Sequence, residues 1–137
     1  MTDYNANATY DFNYGLRNYN TAGTLVCYAP VQLPQGATIT NATIYFYDND
    51  DSYVRFYFER GNMTDRWDVI GAADNAPGSD TPGYTYVGLS GSYPNPAYTT
   101  VDNSNYYYYL ELYIPNNSTS PSNCQFFYAL IEYDLPA

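Results

Sequence analysis

The groups available for chemistry in this chain are almost all carboxylates. Fourteen aspartates and glutamates stand against four arginines, and neither histidine nor lysine occurs. A nucleophilic triad needs a histidine or lysine as its base, so that class of catalysis is excluded. Carboxylate pairs of the glycosidase type remain, and they need two acids roughly 5–10 Å apart, one with a raised pKa. Glu59, Glu111 and Glu132 sit on alternating strand-like segments that turn them outward to solvent, so the expectation is a protein that is not an enzyme and has no catalytic residues.

A second oxygen cluster, Asp48, Asp50 and Asp51 beside Asn49, has the hard ligands that calcium favours. Its spacing is not that of an EF-hand, and Asp-Asn-Asp is equally what a tight turn selects. Calcium is therefore the one cofactor this pattern leaves open, and turn chemistry is the favoured reading. Cys27 and Cys124 lie far apart with no CxxC spacing, which argues against a zinc or redox motif and for a disulfide. Closing so long a loop would stabilise the fold by about 4 kcal/mol in the chain-entropy picture. Five Asn-x-Ser/Thr sequons, at Asn7, Asn41, Asn62, Asn116 and Asn117, are candidate glycosylation sites if the protein is exported.

Tyrosine is the other conspicuous residue, with 20 in 137 positions. Its ring buries or stacks while its hydroxyl tolerates water, so it serves cores, interfaces and wet surfaces alike. Only 13% of residues are charged, and the formal net charge is −10. Such a balance repels phosphate backbones and anionic lipid, so neither nucleic-acid binding nor membrane insertion is expected. No stretch reaches the length of a membrane helix, and no signal-peptide pattern opens the chain. An exported protein would therefore be represented here in its mature form.

The elements that must position these groups are strands. Apolar residues recur with period two between clusters of Gly, Pro, Asn and Asp, and no helical stripe persists over a dozen residues. Tyr10, Phe12, Tyr14 and Leu16 share one face of an expected strand over 9–17. Further strands are expected at 24–31 and over 37–46, with a bulge or bend near Asn41 where the apolar parity changes. Val54, Phe56 and Phe58 are expected to complete a hairpin with that strand across the turn at 48–52. Shorter strands are expected at 84–89 and 98–101. From 106 to 114, Tyr106, Tyr108, Leu110, Leu112 and Ile114 alternate with Tyr107, Tyr109, Glu111 and Tyr113. From 125 to 133, Phe127, Ala129, Ile131 and Tyr133 alternate with Phe126, Tyr128 and Leu130. These last two strands are apolar on both faces, so each is expected to be covered on both. The fold class is all-β, a two-sheet sandwich expected to be a jelly roll of about eight strands, with an immunoglobulin-like order as the alternative. Residues 1–22 are expected to form an N-terminal arm and 23–137 the domain.

The run Ala29-Pro30-Val31-Gln32-Leu33-Pro34-Gln35-Gly36-Ala37-Thr38-Ile39, followed by Tyr45-Phe46-Tyr47-Asp48-Asn49-Asp50, Val101-Asp102-Asn103 and Ile131-Glu132-Tyr133, resembles a class of small secreted bacterial β-sandwich domains. The resemblance covers roughly residues 25–133 and implies export to the cell surface or beyond. It brings no active site with it.

Two functions fit these features. The first is a self-assembling extracellular subunit, of filament or surface-layer type, whose partner is itself. Its assembly faces would be Tyr107, Tyr109 and Tyr113, and Phe126, Tyr128 and Leu130. Its assembly strand would be Tyr10 to Leu16, donated to a neighbour's sheet. The second is a carbohydrate-binding module or adhesin, with Tyr107, Tyr109 and Tyr113 as a stacking platform for glycans. The single tryptophan, Trp67, counts against the second.

Overall fold

The structure, a computed structural model, describes residues 8–11, 15–18, 23–48, 54–64, 67–74, 83–89, 93–116 and 124–137. Within them nine strands and no helix occur: β1 (Ala8–Asp11), β2 (Gly15–Asn18), β3 (Gly23–Val31), β4 (Thr38–Asp48), β5 (Arg55–Gly61), β6 (Trp67–Asp74), β7 (Gly83–Gly88), β8 (Tyr107–Asn116) and β9 (Cys124–Asp134). They form two antiparallel sheets, one in the order β1-β2-β9-β4-β7 and the other β3-β8-β5-β6. The protein is thus a two-sheet β-sandwich.

The alternation read from the sequence explains the core. The inward faces of β4, β5 and β8 supply Ile44, Phe46, Phe56, Phe58, Leu110, Leu112 and Ile114, all buried. Ile70 of β6 and Val101 of the 93–106 connection join them. The expected parity change near Asn41 is present: Ile39 pairs with Tyr133 and Asn41 with Glu132, so Thr40 is an extra residue on β4. That insertion lets both Ile39 and Ala42 face inward.

The Leu-Pro-Gln-Gly-Ala and Val-Asp-Asn segments meet in space. Gly36 adopts a φ of +78°, and Ala37 N donates to Pro34 O at 3.2 Å, closing a turn that needs a left-handed third residue. Gly36 N donates to Val101 O at 2.9 Å and Val101 N to Ala37 O at 2.8 Å. Asn103 then clamps the turn through its own N–H to Gln35 Oε1 (2.7 Å) and its Nδ2 to Leu33 O (2.8 Å).

Several expectations are corrected. The segment 9–17 is not one strand for donation: Ala8–Asp11 pairs with Gly15–Asn18 of the same chain, and Leu16 and Arg17 pair with Phe126 and Gln125 of β9. Phe12 and Tyr14 lie outside the described residues, as do the side chains of Tyr10 and Leu16. These two strands cover the β9 edge that would otherwise be open, so residues 8–11 and 15–18 continue the sheet of the domain rather than forming a separate arm. The expected β4–β5 hairpin does not form. β4 pairs with β7 and β9, whereas β5 pairs with β6 and β8 in the opposite sheet. Residues 98–101 make only an isolated bridge, Thr38 with Thr100. β6 has no counterpart in the sequence pattern, because Gly71 and the bulged Ile70 interrupt its alternation.

Candidate ligand-binding groove

The outward face of the four-stranded sheet carries an open groove of about 430 Å³. Period-two geometry brings its residues together from all four strands. β8 contributes Tyr109, Glu111 and Tyr113, and β5 contributes Tyr57 and Glu59. Tyr28 comes from β3, and Trp67 and Val69 come from β6. The register sets the chemistry: Glu111 lies between Tyr28 on one side and Tyr57 on the other, while Glu59 lies between Tyr109 and Val69.

Both carboxylates are bound by phenols. Tyr28 and Tyr113 each donate a hydroxyl hydrogen to Glu111 Oε1, at 2.7 and 2.9 Å. Tyr109 donates to Glu59, which is only 4% exposed. Burial pushes the Glu59 pKa above the ordinary glutamate range, and the like charge of Glu111 adds to this, while the Tyr109 hydrogen bond opposes it. The Tyr109 phenol is pushed well above its usual range by burial first and then by its bond to Glu59. Tyr113 is raised in the same way by burial and by Glu111. The rings brace one another, with Tyr57 edge-on to Tyr113 at 5.8 Å and Tyr107 stacked on Tyr109 at 5.7 Å. Trp67 and Tyr28 stand 67% and 65% exposed at the groove's margins, where a ligand could reach their rings.

No family model matches the chain, and neither a curated protein nor a solved structure matches it.

Alternation puts Tyr107, Tyr109 and Tyr113 on one outward face, and the structure agrees. Glu59 and Glu111 are not the solvated outward residues expected, since one is buried and the other half-buried among tyrosines. Glu132 belongs to the other sheet, where it accepts a hydrogen bond from Asn41 Nδ2 at 2.9 Å. Tyr28, Tyr57, Trp67 and Val69 are site residues that sequence reasoning missed. The alternation of β5 carries a signal for Tyr57, but only strand order brings β3 and β6 to the same face.

The face expected from Phe126, Tyr128 and Leu130 is split. Tyr45 pairs with Tyr128 but Phe46 pairs with Phe126, so Phe127 is an extra residue and parity reverses across it. Phe126 therefore packs inward, lining an apolar cavity of about 120 Å³ between the sheets. Tyr128 and Leu130 remain outside, 56% and 46% exposed. There Tyr86, Tyr45 and Tyr128 form a ladder across β7, β4 and β9, with ring centroids 5.7 and 4.5 Å apart.

The expected disulfide is not formed: Cys27 carries a free thiol. Cys27 lies in mid-β3 in the four-stranded sheet, whereas Cys124 opens β9 in the other sheet opposite Asp48. Cys27 shares the inter-sheet cavity with Ile44 and Phe126, which occupy the space across from it.

The candidate calcium ligands Asp50 and Asp51, with the side chain of Asp48, lie outside the described residues. Among the described residues no group of three acids or thiols is placed to hold a metal. Asn7, Asn117 and the side chain of Asn116 lie outside them too. Of the other sequons, Asn41 is tied to Glu132 within β4. Asn62 caps an exposed turn, its Oδ1 accepting from Thr64 N (3.0 Å) and Thr64 Oγ1 (2.7 Å).

Proposed function

We propose that the chain is a non-enzymatic extracellular binding module that holds a saccharide in the groove of its four-stranded sheet. The observation that carries this reading is the combination of exposed aromatic walls, Trp67 and Tyr28, with fixed carboxylate acceptors at the floor. Aromatic faces stack on the apolar faces of sugar rings, and carboxylates accept from their hydroxyls. The groove falls within the roughly 300–1,000 Å³ of small-ligand sites. We read the order β2-β9-β4-β7 over β3-β8-β5-β6 as a jelly roll with β1 added at its edge. Trp67 is the chain's single tryptophan, so its emission reports the groove directly. Titration with neutral and amino-sugar oligosaccharides should quench or shift that emission, and Tyr28→Ala should weaken binding at least about tenfold. Unchanged emission across these sugar classes would refute the proposal.

Self-assembly is the second reading, supported by the exposed Tyr86-Tyr45-Tyr128 ladder with Leu130 on the opposite side of the sandwich. Contacts between unlike faces on opposite sides repeat without closing, which is the geometry of a filament. Electron micrographs and sedimentation of the wild type and of Tyr128→Ser with Leu130→Ser test it. Loss of polymers only in the variant is expected, and dispersed wild-type particles would exclude it.

A further inference from the structure

We infer that the groove selects a saccharide bearing a protonated amine, an inference that rests on the saccharide reading above and narrows its ligand class. The groove's two charged lining residues are both anionic, Glu59 and Glu111, and its remaining lining is tyrosine, tryptophan and valine. Arg55 lies on the same strand two places before Tyr57, opposite Tyr113 and outside the lining. Both phenols on Glu111 converge on Oε1, which leaves Oε2 without a protein partner among the described residues. Glu59 is almost wholly buried, with Tyr109 as its hydrogen-bond donor.

A buried carboxylate needs a compensating charge or a proton, and two neighbouring ones repel. An ammonium group between them supplies that charge and several N–H donors, while the surrounding rings attract cations through their faces. A neutral sugar offers hydroxyl donors but leaves the repulsion in place, and an anionic sugar adds to it. Because burial and Glu111 hold Glu59 toward its protonated form, amine binding should tighten as pH rises through the range where Glu59 ionises.

The test is calorimetric and fluorescence titration of the whole chain with glucosamine oligomers, N-acetylglucosamine oligomers and glucose oligomers of matched length, in the wild type, Glu111→Gln and Glu59→Gln. Folding of each variant is checked by circular dichroism. The expected result is at least about tenfold tighter binding of the glucosamine series by the wild type, with that preference lost in Glu111→Gln while the neutral series still binds. Equal or tighter binding of the neutral series by the wild type overturns the inference and leaves the saccharide reading standing. A preference that survives in both variants also overturns it, because the net charge of −10 and not the groove would then be its source. Absence of binding by all three series removes both readings.

Discussion

Glu59 and Glu111 stand on adjacent antiparallel strands one step apart, Glu59 opposite Tyr109 and Glu111 opposite Tyr57, so their side chains share a diagonal on the outer face. Diagonal neighbours in a sheet lie within reach of long side chains, roughly 7–8 Å apart at the backbone. Tyr109 and Tyr57 fill the two remaining corners; Tyr109 donates to Glu59, while Glu111 takes its phenol donors from Tyr28 and Tyr113.

The first consequence is a pH dependence of stability. Burial raises the folded-state pKa of Glu59, so the native state keeps its proton after the unfolded chain has lost it at about 4.3. Bound protons are then fewer in the unfolded state, and stability falls as pH rises from that value through the raised native pKa. Urea midpoints of the wild type should decline over this window relative to Glu59→Gln. Parallel curves would show that Glu59 is not perturbed.

Arg60 is held between two rings, its guanidinium carbon 4.0 Å from the Tyr106 centroid and 4.5 Å from that of Tyr98, with Nε donating to Asp68 Oδ2 at 2.9 Å. Its side chain is 12% exposed. Arg60→Ala should cost about 2 kcal/mol in chemical denaturation, combining the lost ring contacts with an unpaired Asp68. Arg60→Lys should restore only part of this, because the ammonium lacks the flat surface that stacks on both rings.

Gly61 is required by its neighbour across the strands, since a Cβ there would overlap the ring of Tyr107. That ring lies over Gly61 and stacks on Tyr109. Gly61→Ala should destabilise by up to about 1 kcal/mol, because the exposed Tyr107 ring must swing off Gly61 and lose its stacking on Tyr109. In a Tyr107→Ala background the same change should cost much less, and a double-mutant cycle reads the difference. Equal costs in both backgrounds would place the requirement elsewhere.

Cys27 should be alkylated by iodoacetamide in native, unreduced protein, as read by intact mass. Burial raises its thiol pKa, so the reaction should be slower than that of an exposed thiol at neutral pH and should accelerate as pH rises beyond the ordinary thiol range. Failure to label under denaturing, non-reducing conditions would instead show a disulfide.

The sequence by itself determined most of the strands, though not β6 or the division of 9–17 into β1 and β2. Alternation is a local property, so β3, β7, β8 and β9 could be read from their apolar faces, and the two adjacent parities of Ile39 and Ala42 announced the bulge in β4. It also determined the chemistry available, since a chain with no histidine or lysine and only four arginines offers a ligand mainly carboxylates, phenols, hydroxyls and amides. Pairing was decided only by tertiary structure. β4 and β5 look like a hairpin because they are consecutive and apolar, yet burial of both inward faces sends them to opposite sheets. The bulge at Phe127 was invisible because Phe126, Phe127 and Tyr128 are all aromatic, so no change of residue type marks the reversal. Glu59 meets Tyr109 across 50 residues of chain. Such a meeting depends on strand order and register, which non-local hydrogen bonds and core packing fix together.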